Sequence, residues 1–325
     1  MPRFDLPLED LQRYRSPRPA PPGLVEYWER TLAEARGADT AGVRCVPAES
    51  ALVTVDAYDV TFPGFAGEEI KAWWLLPTRS GGADRLPVVV EFLGYGGGRG
   101  LPHERLHWAS HGFAQLVVDS RGQGSIWNTG ATDDPHGSGP ASPGMLTRGV
   151  DHPDHLYYRR LITDAVRAVD AVAHLPGGDR DRVATVGHSQ GGALALAAAA
   201  LHPGVAATAA RAPFLCGIAR AVELTDAPPY GELGGYLAVH RTTAEDVLGV
   251  LDHIDVTHLS SRITCPTWIS VGLTDVTCPP SGIFGAVNAM DSATPLVRVW
   301  PWNGHEAGGA DDDAHLARWL TETLT

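Results

Sequence analysis

The 325-residue chain is predicted to fold as an α/β protein, with a mostly parallel central sheet flanked by helices. Three observations carry that expectation. Apolar, β-branched segments alternate with segments of helical rhythm along most of the chain, as repeated βαβ units require. Two of the apolar runs, Val88 to Leu93 and Ala114 to Asp119, are nearly continuous, as strands buried on both faces are. Finally, Gly187-His188-Ser189-Gln190-Gly191-Gly192 stands between an apolar run (Val183 to Val186) and an alanine-rich stretch (Ala193 to Leu201).

That last segment is G-x-S-x-G in a strand–turn–helix setting, the nucleophile elbow of an α/β-hydrolase. The turn is strained and its backbone crowds itself, so the flanking positions exclude a Cβ. The serine is thereby raised at the carboxyl end of the sheet, beside the free N–H groups of a helix N-terminus. The same five-residue pattern in an ordinary loop is common and means nothing; the strand before it and the strong helix formers after it give it meaning.

The other elements follow in order. Pro17, Pro19, Pro21 and Pro22 make the first 22 residues an extended arm rather than a helix. Leu24 to Arg36 is amphipathic and helical. Val53 to Phe62 and Ile70 to Leu76 read as strands ahead of the two buried ones. Tyr157 to His174 repeats apolar residues at helical spacing (Leu161, Ile162, Ala165, Val166, Val169, Val172) and leads into the elbow strand. Thr267 to Val271 and Leu296 to Pro301 are two late strands, and Asp311 to Leu324 is a closing helix. Two segments break the rhythm. Residues 125–154 are rich in Gly, Pro and Asp and too long for an ordinary connection, which marks an interface or active-site loop. Residues 214–259 mix aromatic and charged residues and are expected to form a helical insert above the sheet. The chain is read as a single domain, residues 1–325, since one large sheet with helices on both faces can occupy this length.

Composition bounds the function. Hydrophobic residues are 44% and charged residues 19%, values of a globular chain, and the net charge of −13 comes without a basic stripe, against nucleic acid as a partner. Lys71 is the only lysine. Cys45, Cys216, Cys265 and Cys278 are far apart and form no zinc or redox spacing. Met1 to Asp10 does not resemble a signal peptide, and no apolar run is long enough to span a bilayer. The expectation is a soluble, cytoplasmic protein with reduced thiols.

A serine nucleophile needs a base to take its proton and a carboxylate to orient the base, and in this fold they follow in the order Ser, Asp or Glu, His. Asp275 comes just after the strand Thr267 to Val271, and His305 lies in the loop between the last strand and the last helix. These positions make Ser189, Asp275 and His305 the expected triad. Asp255 competes as the acid but precedes the strand. His240, His253 and His258 also lie too early, and His315 falls within the closing helix. His188 is inside the elbow, where its side chain is expected to point away from the nucleophile. The oxyanion hole should combine the N–H of Gln190 with one from the loop after an earlier strand, and Phe92-Leu93-Gly94-Tyr95-Gly96-Gly97-Gly98 makes Tyr95 the second donor. The Tyr95 ring would then limit the size of the acyl group.

His103-Glu104-Arg105-Leu106-His107 matches the H-E-x-x-H of zinc proteases, and His111 extends it. The match occupies the helix expected between two sheet strands, with an apolar strand following at once, so it is read as coincidence. No metal or organic cofactor is expected.

Taken together, these residues resemble the acetyl xylan esterase and cephalosporin C deacetylase family, carbohydrate esterase family 7, along essentially the whole chain. The resemblance runs through Phe4-Asp5-Leu6-Pro7-Leu8, Arg121-Gly122-Gln123-Gly124, Ser189-Gln190-Gly191-Gly192 and Pro213-Phe214-Leu215-Cys216. It continues through Gly272-Leu273-Thr274-Asp275, Cys278-Pro279-Pro280-Ser281 and Asn303-Gly304-His305-Glu306. It implies the triad and oxyanion donors named above, with Arg121 and Gln123 bracing the loop near the site. It also implies deacetylation of small substrates, xylo-oligosaccharides and cephalosporin C, by a cytoplasmic homohexamer whose arm and 125–154 loop serve as interface. One departure is visible: the family's oxyanion strand ends His-Gly-Tyr, whereas here it ends Leu93-Gly94-Tyr95. The alternatives from the fold are another esterase or a peptidase with a different acyl preference, or a catalytically inactive hydrolase-fold binding module.

Overall fold

The computed structural model describes residues 3–78, 85–291 and 294–324. Their strands form one nine-stranded sheet. In chain order the strands are β1 (Arg44–Pro47), β2 (Val55–Pro63), β3 (Glu69–Pro77), β4 (Leu86–Phe92), β5 (Ala114–Val118), β6 (Gly178–His188), β7 (Val205–Arg211), β8 (Thr267–Gly272) and β9 (Leu296–Trp300). Their order across the sheet is β1-β2-β3-β5-β4-β6-β7-β8-β9. The first three strands pair antiparallel up to β5, and from β5 to β9 every neighbouring pair is parallel. The expected α/β-hydrolase architecture is thus present, with an antiparallel flank added at its N-terminal edge.

Alternation along the strands sorts side chains to two faces. Val88 and Val90 join the large core beneath α2 (Leu24–Gly37), α4 (Tyr157–Val172) and α5 (Gln190–Leu201), whereas Val89 turns to the opposite face. There it shares a core with Leu316, Ala317 and Leu320 of α11 (Gly309–Leu324). Helices therefore cover both faces, as a parallel sheet requires.

The topology places the site. From β4 the chain passes to β5 on one side through α3 (His107–Ser110), then returns through α4 to β6 on the other side. The direction of winding reverses between β4 and β6, and the loops leaving their carboxyl ends diverge into a crevice there. Phe92 pairs with Gly187 across that boundary, so the Tyr95 loop and the elbow start side by side.

Several details differ from the sequence reading. The arm is not wholly extended: Leu8–Leu11 makes one helical turn, α1, with Leu11 buried. The edge strand β1, the strand β7 and the helix α10 (Pro280–Asn288) were not expected. The 214–259 insert is helical, made of α6 (Ile218–Leu224), α7 (Tyr230–Val239), α8 (Ala244–Leu251) and α9 (Val256–Leu259). Among the described residues no helix is long and apolar enough to cross a membrane, and all four cysteines are unpaired.

Candidate active site

β6 ends at His188 and α5 begins at Gln190, so Ser189 alone occupies the turn between them. Its φ of 58° and ψ of −120° put an L-residue where strain of about 1–3 kcal/mol is usual. The flanking glycines are demanded by contact. A Cβ on Gly187 would come within 2.2 Å of the Gly191 backbone, and one on Gly191 within 2.1 Å of the Phe92 carbonyl oxygen. The Ser189 N–H donates to the Arg211 carbonyl at 2.9 Å, and its own carbonyl accepts from Phe214 N–H at 3.0 Å, so neighbouring loops lock the turn.

Asp275 follows β8 and is fully buried. Its Oδ1 accepts the N–H groups of Thr277 and Cys278 at 2.8 and 2.9 Å, and its Oδ2 accepts from His305 Nδ1 at 2.9 Å. With Oδ2 as the acceptor, Nδ1 carries the ring proton in this hydrogen bond, and Nε2 is the ring nitrogen left to accept a proton. Ser189 and His305 both line one cavity of about 930 Å³, with Asp275 beneath His305. The three expected residues are therefore brought together.

On the other side of Ser189 lies the loop after β4. Tyr95 lines the cavity, and its N–H makes no hydrogen bond within the described protein. The Gln190 N–H opens α5, where it has no intrahelical partner. The Gln190 side chain is buried: its Oε1 accepts from Gln123 Nε2 at 2.9 Å and from the Tyr158 hydroxyl at 3.0 Å. Gln123 Oε1 in turn accepts the Gly96 N–H at 2.7 Å. Beneath, the Arg121 guanidinium is wholly buried, donating to both oxygens of Asp164 at 2.5 and 2.8 Å and to Glu68 at 2.5 Å. Burial disfavours its charge, and the carboxylates of Asp164 and Glu68 more than offset that. Arg121 and Gln123 thus support the loop without reaching the cavity. Leu93, where a histidine was expected from the resemblance, is buried among Val55, Ala57, Leu75, Ala109 and Val117. Its carbonyl accepts from Gln190 Nε2 at 3.3 Å, a side-chain tie to this stretch of backbone that does not need the histidine.

One expectation is overturned. His188 does not avoid the site: it lines the same cavity, and its ring lies 4.6 Å from that of His305. Its Nε2–H donates to the His305 carbonyl at 2.6 Å. Burial, with the charge on His305 next, lowers its pKa to about 4, so the ring is neutral at neutral pH. Strand alternation puts His188 on the face of Val186, which also borders the cavity, and the distorted turn swings Ser189 round to join it.

The rival residues are engaged elsewhere. Asp255 caps α9 and accepts the N–H groups of Gly217 and Ile218. His258 and Arg18 share Asp252, His240 stacks on Tyr236, and His315 is exposed on α11. The H-E-x-x-H segment does not form one helix. His103 and Glu104 belong to a 3₁₀ turn and His107 starts α3, so the two histidines do not share a helical face.

Glu232, Arg211 and Asp313 at the site were not singled out from the sequence, and Cys278 was read there only as an isolated cysteine and as part of a family motif. The Cys278 thiol is packed within 4.8 Å of ligand atoms of Asp275 and His305, and burial holds it well above the usual thiol range, hence neutral. Its closeness to Asp275 in sequence was a usable signal. Glu232, Arg211 and Asp313 line the cavity, and only long-range folding brings them there.

Comparison with known proteins places the chain among acetyl xylan esterases. The family model described as Acetyl xylan esterase (AXE1) matches residues 1–323. The solved acetyl xylan esterase from a Paenibacillus species superposes with a TM-score of 0.89 at 32% identity, covering 98% of this chain and 99% of that one. Acetyl xylan esterase 1 from a Thermoanaerobacterium species gives 0.90 at 31% identity, covering 99% and 100%. The acetyl esterase Axe7A of Xylanibacter ruminicola is 28% identical over 294 residues, 86% of this chain; the chain spans 64% of that protein's length.

Proposed function

The chain belongs to the acetyl xylan esterase family, and we propose that it is a serine esterase removing acetyl groups from small acetylated substrates. The observation that carries the reading is the convergence on one cavity of a serine in a strained turn and a histidine bound to a buried aspartate. The likeness to acetyl xylan esterases at over 30% identity supports acetylated xylo-oligosaccharides as substrates. Cephalosporin C is proposed as a second substrate on the family resemblance.

The proposed chemistry is two-step acyl transfer. His305 Nε2 takes the Ser189 proton as Oγ attacks the ester carbonyl, while Asp275 stabilises the imidazolium through Nδ1. The oxyanion rests on the N–H groups of Tyr95 and Gln190, which have no competing acceptor. His305 then protonates the departing sugar alcohol, and water activated by the same ring releases acetate. The residues supply acid, base, nucleophile and oxyanion donors, and the scheme routes no step through a metal or cofactor.

The test is hydrolysis of p-nitrophenyl acetate, butyrate and octanoate, with Ser189→Ala as control. Acetate turnover that falls with chain length and drops by about 10⁴-fold in the variant is expected. A preference for octanoate would overturn the deacetylase reading, and unchanged activity in the variant would overturn the nucleophile. Acetylated xylo-oligosaccharides and cephalosporin C are then assayed directly. The proposal extends to a cytoplasmic hexamer, for which light scattering should return six times the 34.5 kDa chain mass.

A further inference from the structure

Glu232 reaches the cavity from α7, in the helical insert, and meets the Tyr95 loop there. Its Oε1 accepts the Tyr95 hydroxyl at 2.5 Å and its Oε2 accepts the Leu146 N–H at 3.1 Å. The Tyr95 hydroxyl also accepts the Met145 N–H at 2.6 Å, so its donor and an acceptor site are both used. Gly144 lets the carboxylate approach: its φ is +121°, and a Cβ there would lie 2.1 Å from the Glu232 carboxyl. At the backbone end of the same residue, Trp127 Nε1–H donates to the Tyr95 carbonyl at 2.8 Å. Tyr95 is thus gripped at its hydroxyl and at its peptide, with the 125–154 loop and α7 both meeting on it.

Two donors converge on Glu232, and a carboxylate offers an acceptor to each, whereas a glutamine has one oxygen and must turn its NH2 toward either Leu146 N–H or the Tyr95 hydroxyl. Burial pushes the Glu232 carboxyl up, a cost that an apolar tether would not incur. The cost is intelligible if the geometry it fixes is used.

We propose that Glu232 is a positioning residue, holding Tyr95 so that its N–H faces the carbonyl oxygen of an acyl group bound at Ser189. The proposal rests on the esterase reading above and couples the helical insert to the oxyanion site. A misplaced oxyanion donor loses transition-state stabilisation while leaving ground-state binding nearly intact.

The experiment compares Glu232→Gln, Tyr95→Phe and the double variant with the parent on p-nitrophenyl acetate, with Ser189→Ala alongside. Glu232→Gln is expected to lower kcat by about 10- to 100-fold with KM within about threefold, less than the 10²–10³ of a deleted donor. Tyr95→Phe should act in the same direction, and the double variant should be no slower than the slower single, because both break one contact. Unchanged kcat in Glu232→Gln, a change confined to KM, or multiplying losses in the double variant would each overturn the proposal. Should Glu232→Gln fail to fold, Tyr95→Phe decides alone: parental kcat overturns the proposal and a reduced kcat at parental KM supports it. Activity surviving in Ser189→Ala would instead bring down the assignment of Ser189 as nucleophile, on which the proposal rests, so the two failures are distinct.

Discussion

The two walls of the cavity are built on different principles. On the Tyr95 side, the polar side chains of Glu232 and Tyr95 are bonded to fixed partners, and behind them, outside the cavity, so are those of Gln123 and Gln190. Elsewhere in the lining, Arg105 donates to Glu91 and lies over the Trp127 ring, while Arg211 donates to Asp313. Arg211 Nε is buried without a partner, which among the described residues is true of no other buried side-chain nitrogen or oxygen. The saturated wall admits one arrangement; the ion-paired wall keeps unused donors. The difference fits a division of labour in which the reaction geometry is fixed on one side and the leaving group is received on the other.

The sharpest way to break this picture is at the seam between the walls. Asp275→Asn would leave His305 free to adopt the tautomer with its proton on Nε2, where the serine proton has to go. A loss of about 10⁴ in kcat with little change in KM is expected from p-nitrophenyl acetate kinetics. Next in size is the support under the saturated wall. Arg121→Met strips the partner from Asp164, which is buried, and should cost about 3–5 kcal/mol in urea unfolding. A loss below about 1 kcal/mol would mean that the buried cluster relaxes, and that the saturated wall is not rigidly underpinned.

His188 offers a pH test at the seam. Its pKa is about 4 when folded and about 6.5 when unfolded. A base lowered by folding takes its proton sooner in the unfolded chain, so acidification favours unfolding between these values. Stability should therefore fall between pH 6.5 and 4 by at most about 3 kcal/mol from this group. His188→Gln should flatten that part of the unfolding profile, and an unaltered slope would place the acid sensitivity elsewhere.

The sheet was legible where strands were rich in β-branched, aromatic or large apolar residues, and was missed where they were short or rich in alanine. Val205 to Arg211 reads Val-Ala-Ala-Thr-Ala-Ala-Arg, a composition that favours helix, yet β7 is held between β6 and β8 by tertiary pairing. Helix α10 was hidden by Pro280, Gly282 and Gly285, all poor helix formers. Ser189, Asp275 and His305 were legible because the fold constrains their order and their places at strand ends. His188 was misread because its place inside the elbow was taken to turn it from the nucleophile, whereas the distorted backbone at Ser189 leaves both residues facing the cavity. Glu232 and Asp313 had no local signal: each meets its partner across about a hundred residues or more of chain.

The smallest expected effect tests the open wall. Arg211→Met removes the ion pair with Asp313 and also removes the unpartnered Nε, whose burial costs about 1–3 kcal/mol. Asp313 is one-third exposed in its side chain and is rehydrated when the pair is lost, so the two changes oppose each other. A net stability change within about 1 kcal/mol is expected, of either sign. If this wall receives the leaving group, the same variant should raise KM for acetylated xylo-oligosaccharides more than for p-nitrophenyl acetate, whose leaving group is an apolar ring. Equal changes for both substrates would remove the distinction between the walls. A fall in kcat with unchanged KM would instead assign Arg211 to the elbow, whose Ser189 N–H its carbonyl already holds.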